Sequence, residues 1–111
     1  MSDLHQRRIV TANADEVLRY LLTHYLRESG FLVFEASTGA EALALVECKA
    51  PDLAVLDVEL PDMSGYSVGR SLWHGKATSS VRVLYTSDAR ATAGRRIEGL
   101  GAGGDASMTH P

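Results

Sequence analysis

The sequence predicts an α/β fold with a doubly wound parallel sheet of five strands, covered by helices on both faces. Short apolar runs alternate with longer stretches in which apolar residues repeat at helical spacing. This alternation is typical of successive strand–helix–strand crossovers, which are right-handed and build a parallel sheet. The 111 residues are about the size of one domain. We therefore expect a single three-layer domain over residues 1–111.

The composition excludes several classes of protein. Hydrophobic residues make up 45% of the chain and charged residues 23%, the ordinary mixture for a soluble globular protein. The apolar runs are short and the N-terminal residues lack the order of a secretory signal, so we expect no membrane span. The single cysteine, Cys48, cannot form an internal disulfide, which favours a cytoplasmic protein. A net charge of −3 argues against a nucleic-acid-binding surface over the whole domain.

The first strand is predicted at Arg8–Ala12, and a polar turn at residues 13–16 leads into the first helix. Gly30 provides the C-terminal stop of this helix. The apolar residues of one buried helical face, spaced three or four apart, are Leu18, Leu21, Leu22, Tyr25 and Leu26.

A second strand is predicted at Leu32–Ala36, before a turn at residues 37–39. Thr38 and Glu41 have the spacing of a capping box, which predicts the start of the second helix. This helix is expected to run from about Ala40 to Lys49, because Pro51 prevents its continuation.

The third strand, Leu53–Leu56, is apolar at every position, as is typical of a central parallel strand covered on both faces. The Pro and Gly content of residues 60–65 indicates a loop. The remaining predicted elements are a third helix at residues 66–74, a fourth strand at 81–85, a fourth helix at 89–100 and a short fifth strand at 106–108.

The sequence ends at Pro111, directly after the fifth strand, without a helix that would cover one side of the sheet. Parallel strands carry apolar side chains on both faces. We therefore expect an uncovered apolar patch beside the first and last strands, at Ile9, Val10 and Met108. Such a patch tends to mark an interface, which predicts self-association or the docking of another segment.

Ligands of an open parallel sheet bind beyond the carboxyl ends of the strands, where the strand order reverses. The residues that follow the predicted strands are Asn13–Asp15, Asp57, Thr86–Ser87 and Thr109–His110. Asp57 is the strongest candidate, because it follows four apolar strand residues and its carboxylate would be aimed at the cleft. An aspartate after a strand can also simply begin a turn, so both interpretations remain open from position alone.

The segment Val55–Gly65 resembles the phosphoacceptor segment of response-regulator receiver domains, which have a flavodoxin-like fold. Glu35–Leu43 is similar to the second strand and helix of that family, and Tyr85–Ser87 to its hydroxyl-bearing fourth-strand end. Gly101–Pro111 is similar to the segment in which the family usually ends with Thr-Lys-Pro. The resemblance runs from about Arg8 to Pro111 in the right order and spacing.

The resemblance implies that a histidine kinase passes a phosphoryl group to Asp57. In receivers, two acids at the end of the first strand hold Mg²⁺ beside this aspartate. A hydroxyl, here Thr86, and a lysine contact the phosphoryl oxygens. A phosphoryl group in transfer is heavily anionic, so it requires a cation, a donor and an in-line carboxylate.

Four positions depart from the family's pattern. The two acids align with Asn13 and Ala14, and the lysine aligns with His110, whose side chain is shorter and, unlike lysine, can be uncharged at pH 7. The aromatic switch position, three residues before that lysine, aligns with Ser107. His110 could donate to Asp57 or to a phosphoryl oxygen, or it could be an exposed histidine near the chain end.

Loss of both acids predicts weak binding of Mg²⁺, which requires near-octahedral oxygen ligands. Asp15, one residue beyond the acid pair, and Glu59, two beyond Asp57, could partly compensate, although each is also explained as a solvated surface acid. A weak Mg²⁺ site would use Asp57 and Glu59 at most, and no other cofactor is expected.

Two functions remain open. In the first, Asp57 accepts a phosphoryl group in a two-component phosphorelay, and the domain is a switch. In the second, the domain is a phosphorylation-independent pseudo-receiver that acts as an interaction or dimerisation module. In both, the protein is not an enzyme, its partner is a histidine kinase or another signalling protein, and neither nucleic acid nor a membrane is contacted directly. Asp57-Val58-Glu59 only approaches the Asp-x-Asp of haloacid-dehalogenase-type phosphatases.

The other candidate features have structural explanations. Gly99–Gly104 matches G-x-G-x-x-G in letters, but it follows a predicted helix instead of opening one, so we expect a loop. Cys48 is expected to be a packing residue. The histidines without metal-ligand spacing, expected at the surface, are His5, His24 and His74.

Overall fold

Five parallel strands form one sheet in the computed structural model. The structure describes residues 6–88 and 106–110; for Asp88 and for residues 106–110 it describes the backbone alone. The elements are β1 (Arg8–Ala12), α1 (Glu16–Glu28), β2 (Leu32–Ala36), α2 (Gly39–Lys49), β3 (Leu53–Asp57), α3 (Gly65–His74), β4 (Arg82–Asp88) and β5 (Ala106–His110). The strand order is β2-β1-β3-β4-β5. The order reverses at β1, so the predicted doubly wound, flavodoxin-like fold is confirmed, and β1 and β3 flank the crevice where such sheets bind ligands.

The first two strands have the predicted bounds, whereas the last three extend further than expected, β3 by one residue, Asp57, which had been predicted to follow it. β4 runs through Thr86 and Ser87 to Asp88, and β5 continues through Thr109 to His110. These polar residues had been predicted to follow their strands. These polar residues belong to β4 and β5 because Ser87 pairs with Thr109 and Asp88 pairs with His110. Main-chain pairing of this kind does not depend on apolar side chains. The predicted fourth helix and the glycine-rich stretch lie outside the described residues.

Each face of the sheet has its own apolar core. Val10, Leu56 and Tyr85 belong to the larger core, on the face covered by α2 and α3. Ile9 and Val55 belong to a smaller core on the opposite face, against apolar residues of α1. The alternation of side chains along β1 and β3 therefore serves two buried layers, as expected of central parallel strands.

The prediction of an uncovered patch at the first strand is wrong. Ile9 and Val10 are 3% and 0% exposed. The apolar groove lies instead between α1 and the strands β3 and β4, with a volume of about 390 Å³. Among the described helices, only α1 packs on that face, and it lies over β1 and β2, whereas α2 and α3 lie on the other face. The residues that line the groove are Leu18, Leu21, Leu22, Tyr25, Leu26, Leu53, Val55, Leu84 and Thr86.

The start of α2 follows the predicted capping pattern with one change. The side-chain oxygen of Thr38 accepts a hydrogen bond from the Glu41 N–H at 3.1 Å. The Glu41 carboxylate reaches one residue beyond Thr38 and accepts from both the N–H and the hydroxyl of Ser37 at 2.8 Å. The Ser37 N–H is the main reason that the pKa of Glu41 is lowered.

Two surface predictions have different outcomes. His24 and His74 are exposed, as expected, whereas His5 lies outside the described residues. Cys48 had been expected to pack, but it is exposed on α2. Its helical face is turned from the sheet, which the weak apolar periodicity of this helix did not reveal. None of the helices in the described ranges is long and apolar enough to cross a membrane.

Candidate functional site

The candidate site lies at the carboxyl edge of the sheet, where β1, β3 and β4 meet. Ala12 pairs with Leu56, so the residues that follow them, Asn13 and Asp57, are neighbours at the switch point of the sheet. Asp57 in turn pairs with Thr86. The fold therefore brings together three of the predicted site residues, which are far apart in the chain.

Asp57 is the last residue of β3 and is half-buried. Its Oδ1 accepts a hydrogen bond from the Glu59 N–H at 3.2 Å. Its carbonyl oxygen lies against Gly65, where a Cβ would overlap it. The loop after β3 therefore closes tightly on Asp57, and glycine is required at position 65 by this close approach.

The residues at the two acid positions do not offer two free carboxylates. Asn13 is 5% exposed, and its Oδ1 accepts from the Asp15 N–H at 2.8 Å. The carbonyl oxygen of Asn13 accepts from Nη1 of Arg19 at 2.7 Å. Ala14 is exposed and carries no polar side-chain atom. Asn13 thus shapes the entry into α1.

Asp15, predicted as a compensating acid, is the N-cap of α1. Its Oδ1 accepts from the N–H groups of Val17 at 2.9 Å and Leu18 at 3.1 Å, as favourable caps do. Glu59 is exposed and forms an isolated main-chain bridge with Ser64. One carboxylate oxygen of Asp15 is therefore used in capping.

The side chains at these positions offer poor ligands for Mg²⁺. The ion prefers carboxylate oxygens in near-octahedral geometry. Asn13 supplies an amide oxygen already bonded to Asp15, and Ala14 supplies none. Within residues 6–88 and 106–110, no three His, Cys, Asp or Glu side chains are grouped to hold a metal ion.

Thr86 is the hydroxyl-bearing residue of the site and is 2% exposed. It pairs with Asp57 on one side and with Met108 of β5 on the other. The backbone of His110 lies two residues further along β5 than Met108, and Ser107 lies one residue before it. The side chains of these β5 residues are outside the described part of the chain.

A contact between two tyrosines involves Tyr85, the residue before Thr86 in β4. Tyr85 is 1% exposed, and its ring meets Tyr66 of α3 edge-on, with centroids 4.9 Å apart. Its hydroxyl lies against Gly69, where a Cβ would overlap it. Burial is the main reason that the pKa of Tyr85 is raised. This pair connects β4 to α3, the helix that follows the Asp57 loop.

Sequence reasoning missed Asp62. Its Oδ1 accepts from the Gly39 N–H at 2.7 Å and its Oδ2 from the Ala40 N–H at 2.9 Å. These bonds, that from Gly39 first, lower the pKa of the carboxyl group. One signal was available: the Thr38 side chain caps only the Glu41 N–H, so the first two N–H groups of α2 needed an acceptor from elsewhere.

Comparison with known proteins gives a consistent result. A sequence model described as the response regulator receiver domain matches residues 9–111. The chain is 35% identical over 105 residues to the alkaline phosphatase synthesis transcriptional regulatory protein PhoP of Bacillus subtilis, covering 95% of this chain and 42% of that protein. It is 38% identical over 103 residues to the transcriptional regulatory protein KdpE of Mycobacterium tuberculosis, covering 93% and 43%.

A solved structure has the same fold. The chemotaxis response regulator CheY4 of Vibrio cholerae superposes with a TM-score of 0.87 at 20% identity, covering 96% of this chain and 88% of that one. The chain spans less than half the length of the two transcriptional regulatory proteins that it matches.

Proposed function

The chain belongs to the response regulator receiver domain family, and from this premise we propose that Asp57 is the phosphoacceptor of a phosphorelay switch. One observation carries the proposal: Asp57 ends β3 in register with Thr86, so a carboxylate and a hydroxyl adjoin at the switch point of the sheet. The phosphodonor is a histidine kinase, as in two-component signalling, and the output is a protein–protein contact in the cytoplasm. The domain is not itself an enzyme and contacts neither nucleic acid nor a membrane.

The chemistry assigns a role to each residue. An Asp57 oxygen attacks the phosphorus in line, the bond from phosphorus to the kinase histidine breaks, and the leaving imidazole nitrogen keeps the electron pair and takes up a proton. The Thr86 hydroxyl donates to a phosphoryl oxygen, and the His110 imidazole does so in place of lysine. Bound Mg²⁺ would neutralise phosphoryl charge, but Asp57 and Glu59 at most would hold it, and weakly.

Phosphorylation by a small donor tests this proposal. Incubation with acetyl phosphate and Mg²⁺, followed by intact mass measurement, should add one phosphoryl group to the wild-type protein. Asp57→Asn has nearly the same shape but no nucleophilic carboxylate, so it should gain nothing. A wild-type protein that stays unmodified, or an Asp57→Asn variant modified to the same extent, would refute the assignment.

The groove beside α1 favours a second function, a phosphorylation-independent interaction module. Leu21 and Tyr25 on its rim are 56% and 68% exposed, an unusual exposure for large apolar residues that are close together. Thr86 lies at one end of the groove, which places this surface beside the candidate site. We propose that a second copy of the chain packs here, and the mass in solution tests it.

A further inference from the structure

The loop from Val58 to Ser64 is held at its base and at its tip. At its base, the Gly65 N–H donates to the carbonyl of Val58 at 3.0 Å, and Glu59 forms a bridge with Ser64. At its tip, the two carboxylate oxygens of Asp62 accept from the first two N–H groups of α2. The loop that follows Asp57 is therefore attached to the start of α2, a helix earlier in the chain; Asp62 and Gly39 are 23 residues apart.

We infer that Asp62 is a positioning residue for phosphoryl transfer to Asp57, because its bonds to Gly39 and Ala40 hold the loop that orients the Asp57 carboxylate. The inference rests on the proposed function. Asp62 acts through the loop and does not contact the reacting atoms.

A second contact supports the same attachment. A Cβ at Gly39 would overlap the Met63 side chain, so Met63 packs directly on the backbone at the start of α2. Met63 is also packed against the larger apolar core. Two consecutive residues, one through hydrogen bonds and one through packing, thus join the loop tip to the same turn of helix.

The connection to Asp57 runs through atoms at the loop base. The Glu59 N–H donates to Oδ1 of Asp57 at 3.2 Å, so the orientation of the carboxylate depends on where the loop places this N–H. Gly65, at the other end, lies against the Asp57 carbonyl. Release of the loop tip would move both contacts. Small displacements of the Asp57 carboxylate matter because a misplacement of roughly 1 Å can slow a reaction between positioned groups by about 100-fold.

The charge of Asp62 also suits its place. A carboxylate is stabilised at the positive end of a helix dipole, and its bonds to backbone N–H groups are charge-assisted. Asparagine at position 62 would retain one acceptor oxygen, whereas its amide group could not accept from the second N–H. Asp62→Asn should therefore keep part of the attachment and Asp62→Ala none of it.

The test compares Asp62→Ala and Asp62→Asn with Asp52→Asn. Asp52 also accepts a backbone N–H, that of Arg8, but at the opposite edge of the sheet. The Glu59 amide resonance in a proton–nitrogen NMR spectrum reports on the Asp57 carboxylate, and the rate of acetyl phosphate labelling reports on reactivity. We expect Asp62→Ala to shift the Glu59 resonance and to slow labelling by roughly 10-fold to 100-fold. Asp62→Asn should be intermediate and Asp52→Asn like the wild type.

The two readouts separate the possible failures. In one outcome, the Gly39 and Ala40 amides lose protection from hydrogen exchange in Asp62→Ala or Asp62→Asn while the Glu59 resonance and the labelling rate stay unchanged. In that case Asp62 is only a helix cap, and the inference is overturned. If the wild-type protein is not labelled at all, the proposed function fails, and the Glu59 resonance alone then decides whether Asp62 orients Asp57. Asp62→Asn keeps the test valid if Asp62→Ala does not fold.

Discussion

Tyr85 of β4 and Ser107 of β5 lie opposite each other in the parallel register. Ser107 aligns with the position that is aromatic in receivers, whereas Tyr85 is a buried aromatic residue next to Thr86, in contact with Tyr66 of α3. A buried aromatic ring thus lies on β4, one residue before Thr86, where it contacts α3.

Modification of Asp57 should have little effect on the surface formed by β4 and β5. Ser107 has no ring to follow Thr86 inward, so we expect the coupling that is usual in receivers to be broken. We expect amide exchange of both strands to be the same in protein phosphorylated at Asp57 and in unmodified protein, with Asp57→Asn treated identically as the control. Widespread changes in protection across the two strands would contradict this prediction.

Magnesium should bind weakly, because Asn13 and Ala14 replace two carboxylates. Calorimetric titration of the wild-type protein should show no saturation at ordinary millimolar concentrations. The double variant Asn13→Asp/Ala14→Asp should recover saturable binding, since two carboxylates would again face the pocket. An Asp52→Asn variant, changed at the far edge of the sheet, should titrate like the wild type. Tight, saturable wild-type binding would show that other oxygens compensate.

The Gly69–Tyr85 contact should be sensitive to a single methyl group. In Gly69→Ala the new Cβ would overlap the Tyr85 hydroxyl. Such overpacking costs about 1–3 kcal/mol, offset by up to ~1 kcal/mol from the better helix propensity of alanine. Urea unfolding should therefore show a net loss that becomes smaller in a Tyr85→Phe background. Equal losses in both backgrounds would argue that the strain lies elsewhere.

The stabilising effect of Asp62 should depend on pH. Its folded-state pKa is lowered below the usual 3.8, chiefly by the Gly39 N–H. Ionised Asp62 therefore stabilises the fold above the unfolded-state pKa, and this contribution is lost as the pH falls through the lowered folded-state value. The difference in unfolding free energy between wild type and Asp62→Asn should shrink at acid pH. A difference that stays constant from neutral to acid pH would mean that the charge of Asp62 is not involved.

Self-association should occur through the groove beside α1. Light scattering across a concentration series should give a rising mass for the wild type and a monomer for Leu21→Glu, because a charge on the groove opposes its burial. Trp73→Glu is the matched control, since Trp73 is 60% exposed on α3, away from the groove. A wild-type monomer at every concentration that binds no hydrophobic dye would rule out this interface.

The sequence alone was sufficient to predict a doubly wound parallel sheet and the bounds of β1 and β2. It also singled out Asp57 as the leading candidate for the site. These features depend on local patterns: apolar runs, helical spacing and a polar residue directly after a buried strand. That Asn13 and Ala14 carry no carboxylate is also a local chemical fact, visible without any structure.

The tertiary structure decided what depends on residues distant in the chain. The last residues of β4 are polar, and only their pairing with β3 and β5 makes them strand. Ile9 and Val10 are apolar in either case, and only the packing of α1 over Ile9 and of α2 over the opposite face buries them. The position of α1 also forms one wall of the groove over β3 and β4. Asp62 reads as an ordinary loop residue until the fold brings it to the start of α2. Side-chain identity sets local propensity, whereas the partner of each hydrogen bond and the cover of each apolar face are determined by packing.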